Sequence, residues 1–144
     1  MSWKILEQES PELASFGAER LGGGVAYLAT TRADGSPQVH PVTAVIGGGR
    51  LFIFMEPTSP KGHDLRRDGR YAMHSTVRDA GGSNGEFLIT GRAEFVEDPE
   101  VWKLAASFSS YAPAERYVLF ELGVESVLAI TYDNGLPTST RWNK

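Results

Sequence analysis

The chain has 144 residues, of which 41% are hydrophobic and 22% are charged, a balance that suits one globular domain over residues 1–144 with its own core. The net charge of −4 argues against a general nucleic-acid binder, and the absence of cysteine excludes disulfides, thiolate metal sites and cysteine nucleophiles. The first residues show no signal-peptide pattern and no apolar run is long enough to span a bilayer, so we expect a cytoplasmic protein without a membrane partner.

The predicted elements begin with one helix and continue as short strands. The helix starts at Ser10-Pro11-Glu12, which supplies a cap, a proline and an acidic first turn, and it ends at Gly22-Gly23-Gly24. β-Branched and apolar runs between turns predict six or seven strands, over residues 25–32, 37–46, 51–55, 71–77, 86–96, 117–122 and 127–132. A loop is expected over residues 78–85, and the tail from Asp133 onward is predicted to be irregular.

A further helix begins at Asp98-Pro99 and carries apolar residues at helical spacing. Val101, Leu104, Ala105 and Phe108 form one stripe, which we expect to face the core. Few helices and many short strands together favour a mainly β protein, built as an antiparallel barrel or sandwich.

The strand over residues 51–55 is apolar on both faces. In a barrel only one face points inward, so another element must cover the outer face. A helix of the same chain could do this, but we favour a second subunit and therefore a homodimer.

The segment after this strand predicts a phosphate site. Ser59 is a good N-cap and Pro60 suits the first position of a short helix. Lys61 in the first turn opposes the positive end of the helix dipole, at a cost of about 0.3–1 kcal/mol. An anion held by the free N–H groups, the hydroxyls and the ammonium would explain that placement.

Taken in chain order, the predicted elements resemble those of the pyridoxamine 5′-phosphate oxidase-like family of flavin-binding split barrels. The resemblance is carried by five stretches of the sequence, residues 25–30 with the Asp34-Gly35 turn, 37–42, 51–55, 59–61 and 65–68. It implies a six- to seven-stranded antiparallel split β-barrel of Greek-key type with a few short helices. It also implies a homodimer with the cofactor, FMN, at the interface.

The resemblance also implies which residues bind the cofactor. By position, His40, Pro41 and Val42 run beside the flavin ring, Phe54 and Met55 flank the ring and the ribityl chain, and Ser59 and Lys61 bind the phosphate. Glu86 falls where the family often has a glutamine from the facing subunit, and Trp142 is expected to pack on the ring from the partner chain. These nine residues are the predicted cofactor site.

Two departures argue against vitamin B6 synthesis. Pro60 stands where the oxidases proper have an arginine that binds phosphate, and the tail lacks their substrate-gripping Arg/His segment. The chain is closer to the general-stress-protein branch or to the branch that uses the deazaflavin F420, whose acidic tail would use Arg66, Arg67 or Arg70. We expect an FMN-dependent oxidoreductase acting on a small molecule, with two alternatives: an F420-dependent reductase, or a non-catalytic flavin carrier or stress-related sensor.

No residue is identified as a catalytic acid or base. His40 is assigned a backbone role, with its side chain expected to point outward, His63 is assigned to the surface, and His74 is a candidate for the dimer cleft. The three histidines have no metal-binding spacing, so no metal site is predicted, and none is a convincing axial ligand for a haem.

Overall fold

The structure is a computed structural model that describes residues 2–22, 24–78 and 85–144. It contains four helices within this part of the chain, α1 (Trp3–Glu9), α2 (Pro11–Gly22), α3 (Pro60–Arg67) and α4 (Pro99–Phe108). The strands of the same part are β1 (Ala26–Thr31), β2 (Pro37–Val42), β3 (Val45–Gly47), β4 (Arg50–Met55), β5 (Arg70–Ser75), β6 (Glu86–Val96), β7 (Val118–Leu122), β8 (Ser126–Asp133) and β9 (Leu136–Asn143). Most of the predicted loop 78–85 lies outside the described residues, as does Gly23.

The strands form one curled antiparallel sheet in the order β2-β1-β5-β6-β7-β4-β3, with β8 paired to β6 and β9 paired to β8. The long strand β6 belongs to both halves of the sheet. Its first residues pair with β8, from Glu86 opposite Ile130 to Thr90 opposite Ser126, and its last residues pair with β7, from Ala93 opposite Leu122 to Val96 opposite Leu119. The mainly β, antiparallel architecture with short helices is confirmed.

The structure has more strands than the sequence predicted. The predicted strand 37–46 is interrupted at Thr43 and Ala44, which separates β2 from β3. The prediction of an irregular tail is wrong, because β9 pairs with β8 along its whole length. Asn134 and Gly135 both adopt positive φ, at 51° and 78°, and so form the two-residue turn that joins these strands.

Helix α4 covers the outer face of β4, which is the alternative that we did not favour. Phe52 and Phe54 of β4 are buried together with Ala105 of α4, and the rings of Phe54 and Trp102 meet edge to face with centroids 5.2 Å apart. The apolar second face of β4 therefore gives no evidence for a second subunit. The predicted stripe of α4 is also only partly buried, since Leu104 and Phe108 remain 40% and 38% exposed.

A buried carboxylate ties α3 to the first two strands. Asp64 is 6% exposed and accepts hydrogen bonds from Thr30 Oγ1 at 2.9 Å, Gln38 Nε2 at 2.6 Å and the Arg67 guanidinium at 2.9 Å. Burial by itself raises the pKa of Asp64, but the bonds from Arg67, Thr30 and Gln38 outweigh it and the pKa is lowered. Asp64 is thus held as an anion that fixes the position of α3.

Replacing this carboxylate should lower stability in a pH-dependent way. We expect Asp64→Asn to lower the free energy of unfolding at pH 7 by about 2 kcal/mol, because a charged group loses its hydrogen bonds. The folded-state pKa is below the ordinary value of 3.8, so the carboxylate stabilises the fold above that pH and ceases to do so as the pH falls through the folded-state pKa. Urea unfolding at pH 7 and pH 3 should show the difference shrinking, whereas exposed Asp133→Asn should show little difference at either pH.

Candidate functional site

The candidate site lies where β4 ends and α3 begins. The helix starts at Pro60, as predicted, with Ser59 as its N-cap, and the Ser59 carbonyl accepts bonds from the N–H groups of Gly62 and His63. Gly62 lets this first turn approach the strand closely, since a Cβ there would lie 2.9 Å from the sulfur of Met55. The sequence reasoning did not identify this close approach of Gly62 to Met55.

Lys61 is the principal cation of this junction. Its Nζ donates to Ser59 Oγ at 3.0 Å, and the Ser59 side chain makes no cap bond to the helix backbone. Burial lowers the pKa of Lys61. Within the described part of the chain no carboxylate forms a salt bridge with it. A partly buried ammonium without a carboxylate partner is suited to an external anion.

A groove of about 420 Å³ extends from Lys61 along the ends of β2 and β4. Five predicted site residues line it, namely Pro41, Val42, Phe54, Met55 and Lys61. Ser59 joins the set through its bond to Lys61. The groove thus contains the Lys61 cation, several apolar side chains, and Glu56, whose charge is paired with Arg116. A cation beside apolar side chains suits a flat ring system that carries an anionic group.

Two tyrosines that the sequence reasoning missed complete this groove. Tyr111 follows α4, and Tyr117 precedes β7, whose first residue Val118 pairs with Met55. Burial raises the pKa of Tyr111, so its hydroxyl stays protonated at neutral pH. At the rim, Arg116 forms a salt bridge with Glu56. Only the register of β7 on β4 brings Tyr117 here, and no local sequence signal indicates it.

His40 points into the protein and not outward as predicted. It pairs with Leu28, which is fully buried, and so lies on the inner face of β2. Burial lowers the pKa of His40, and the positive charge of Lys61 lowers it further, so the imidazole is neutral at pH 7. Its Nε2 is buried and, among the described residues, has no hydrogen-bond partner. His40 therefore lies near Lys61 without lining the groove.

Glu86 and Trp142 lie away from the groove. Glu86 accepts a hydrogen bond from the Tyr132 hydroxyl at 2.6 Å, and its other oxygen lies 3.6 Å from His74 Nε2. Trp142 is only 9% exposed, belongs to the core of its own chain, and donates from its indole to Glu9 at 3.2 Å. Within one chain, the structure gives Trp142 a packing position and does not bring it to the other site residues.

The three arginines of the α3 region all make contacts within the chain. Arg66 lies over the ring of Phe95, 3.9 Å from its centroid. Arg67 bonds Asp64 and the Thr31 carbonyl, and Arg70 forms a salt bridge with Asp68. An acidic cofactor tail would have to compete with these contacts.

No group of three or more metal-ligating side chains occurs among the described residues, and no described helix is long and apolar enough to cross a membrane.

Comparison with known proteins identifies the relatives of this fold. A family model described as pyridoxamine 5′-phosphate oxidase matches residues 19–131. No curated protein matches the chain. Among solved structures, a NimC/NimA family protein from Clostridium acetobutylicum is 18% identical with a TM-score of 0.68, and the match covers 89% of this chain and 92% of that one.

Two further structures carry other cofactor names. A heme binding protein from Mycobacterium smegmatis is 21% identical with a TM-score of 0.66, covering 85% of this chain, which spans only 55% of that protein's length. An F420 reductase is 20% identical with a TM-score of 0.59, covering 76% of this chain and 94% of that one. At these identities the likeness shows the fold, and it confirms the predicted split barrel.

Proposed function

Because this chain belongs to the pyridoxamine 5′-phosphate oxidase family, we propose that the groove beside Lys61 binds FMN and that the protein is a flavin-dependent oxidoreductase acting on a small molecule. The observation that carries the proposal is the partly buried Lys61 ammonium, which bonds Ser59 and forms no salt bridge with a described carboxylate. FMN carries an anionic phosphate and a flat ring, and the groove offers the Lys61 cation together with apolar and aromatic side chains.

Each part of the groove has a role in this proposal. Lys61 and Ser59 hold the phosphate, and Phe54 and Met55 flank the ribityl chain and ring. Pro41 and Val42 of β2, which line the groove, would hold the edge of the ring, with the neutral His40 beside them on the same strand. The flavin would supply hydride transfer, and the protein binds, orients and shields it from water. We propose solvent as the proton source.

We further propose a homodimer that closes over this groove, with Glu86 contributed by the facing subunit. The support comes from the outer face of β1 and β2, where apolar side chains remain exposed. Val25 is 44% exposed, Tyr27 45% and Val39 62%. Tyr27 lies opposite Pro41 and Val39 opposite Ala29, so these residues share one surface next to the groove. Analytical ultracentrifugation should give twice the mass of one chain, and a monomer at all concentrations would contradict the dimer.

An F420-dependent reductase is the second candidate, supported by the F420 reductase of the same fold. The intramolecular contacts of Arg66, Arg67 and Arg70 make it the weaker one. A flavin carrier or sensor without turnover would use the same groove.

An absorption spectrum of the purified protein, followed by titration with FMN and with F420, tests these assignments. We expect flavin bands or tight FMN binding. Binding of F420 alone would favour the reductase, a Soret band would indicate haem, and no binding of any of the three would contradict the proposal. Oxidation of NADH or NADPH with the FMN-loaded protein then separates an enzyme from a carrier.

A further inference from the structure

A second concavity, the side chamber, adjoins the proposed cofactor groove. It has a volume of about 490 Å³, and its walls include Ala18 of α2, Ala44 and Ile46 around β3, and Phe108 at the end of α4. It shares Val25 and Thr43 with the groove, so the two spaces are adjacent. Its volume lies within the range of about 300–1,000 Å³ that small-molecule sites occupy.

The chemistry of the side chamber is neutral. None of the described residues that line it carries a charge, and the polar side chains among them are the hydroxyls of Thr43 and Ser110. A charged molecule bound here would lose its hydration without gaining an opposite charge, which is costly. Lys61 lines the groove and not the chamber. The two compartments therefore favour different ligands.

Phe108 gives the chamber an aromatic wall. Its ring packs directly on Gly47, where a Cβ would lie 2.2 Å from Cγ of the ring, so any other residue at 47 would displace it. Gly48, with φ of 61°, turns the chain beside the same ring. The ring nevertheless remains 38% exposed. An aromatic side chain that packs on a glycine and stays partly exposed is suited to stacking on a flat ligand.

We propose that the side chamber binds the substrate of the adjoining groove, and that this substrate is an uncharged, largely apolar aromatic molecule that packs on Phe108. The proposal rests on the proposed function for its link to the cofactor, since the chamber and the groove adjoin at Val25 and Thr43. The hydroxyls of Thr43 and Ser110 offer hydrogen bonds to a neutral oxygen or nitrogen of the ligand.

Calorimetric titration with 2-naphthol and with the anion 2-naphthoate tests this, using the whole chain with and without FMN. We expect 2-naphthol to bind at least about tenfold more tightly than 2-naphthoate. Phe108→Ala should weaken 2-naphthol binding by about tenfold. Ser110→Trp, at an exposed position, should fill the chamber and weaken it further. Leu104→Ala is the matched control, because Leu104 lies one turn earlier on α4, is 40% exposed and does not line the chamber.

The outcomes separate the two proposals. Unchanged FMN affinity in Phe108→Ala and Ser110→Trp, together with lost 2-naphthol binding, is the expected result. If the wild-type chain does not bind 2-naphthol, or if both variants bind it normally, the side chamber is not the substrate site. Equal affinity for 2-naphthol and 2-naphthoate would contradict the preference of the chamber for an uncharged ligand.

Two further outcomes would reassign one of the two spaces. If 2-naphthol does not bind and the dimer dissociates in Phe108→Ala, the chamber is a contact surface for a second copy of the chain. Failure of FMN to bind, with chamber-dependent 2-naphthol binding intact, would overturn only the cofactor assignment.

Discussion

Lys61→Glu is expected to lower FMN affinity by at least about a hundredfold while leaving the fold intact. Removing one partner of a desolvated charge pair costs about 2–5 kcal/mol, and the new carboxylate also repels the phosphate. The folded state should survive, because Lys61 contributes one hydrogen bond, to Ser59, and no salt bridge within the described part of the chain. Fluorescence titration with FMN measures the affinity, and thermal unfolding checks the fold.

Arg66→Glu provides the matched control for this experiment. It makes the same change of charge on the same helix, but Arg66 lies over Phe95 and outside the groove. A specific phosphate site at Lys61 predicts a large loss in Lys61→Glu and a small one in Arg66→Glu. Equal losses of FMN affinity in the two variants would show that only the total charge of α3 matters, and would contradict a specific phosphate site at Lys61. A loss of F420 affinity in Arg66→Glu would support the second candidate.

The same site should show a pH dependence of known sign. Burial lowers the pKa of Lys61, so its ammonium is lost at a lower pH than that of an exposed lysine. FMN affinity should therefore fall as the pH rises through the lowered pKa of Lys61. Lys61→Gln should bind weakly at every pH and lose this dependence.

Gly91→Ala is expected to lower the free energy of unfolding by more than about 3 kcal/mol, above the usual cost of overpacking. Gly91 lies in β6 between the residues that pair with β8 and those that pair with β7. A Cβ there would lie 1.9 Å from the backbone oxygen of Gly123, an atom held by the sheet and unable to yield as a flexible side chain would. Urea denaturation compares the variant with the wild type.

Gly22→Ala is the control, because a Cβ at Gly22 meets nothing within 4 Å at the end of α2. We expect it to be neutral or to stabilise by about 0.5 kcal/mol, since alanine has lower backbone entropy in the unfolded chain. If Gly91→Ala had the same free energy of unfolding as Gly22→Ala, the backbone of Gly123, just after β7, would not approach Gly91 as closely as the structure shows.

The sequence predicted those features that depend on local signals. Ser59-Pro60 marked the start of α3 because a cap and a proline act within one turn, and Lys61 was conspicuous because its charge opposes the helix dipole. The alternation in β6 likewise predicted which residues are buried, since Phe87 and Ile89 are fully buried and Arg92 is exposed. The Asn134-Gly135 hairpin was equally local, and the sequence reasoning overlooked it.

Features that depend on distant contacts could not be predicted in this way. The packing of Trp102 on Phe54 decides which element covers β4, and no pattern within either segment indicates it. Tyr117 reaches the groove through strand register alone. The burial of Trp142 against α1 required a helix that the sequence did not predict, because that helix is short and lacks a side-chain cap bond.

The shared strand β6 also determines how the protein can open. Strand β6 forms hydrogen bonds with both halves of the sheet, so separating one half disturbs the strand on which the other half is built. The two halves should therefore unfold as one cooperative unit. The β8–β9 hairpin is different, because among the described strands β9 pairs with β8 alone and nearly all of its residues are exposed. Amide hydrogen exchange should therefore be slowest in β6 and fastest around Asn134, so that the protein frays from the hairpin before its centre opens.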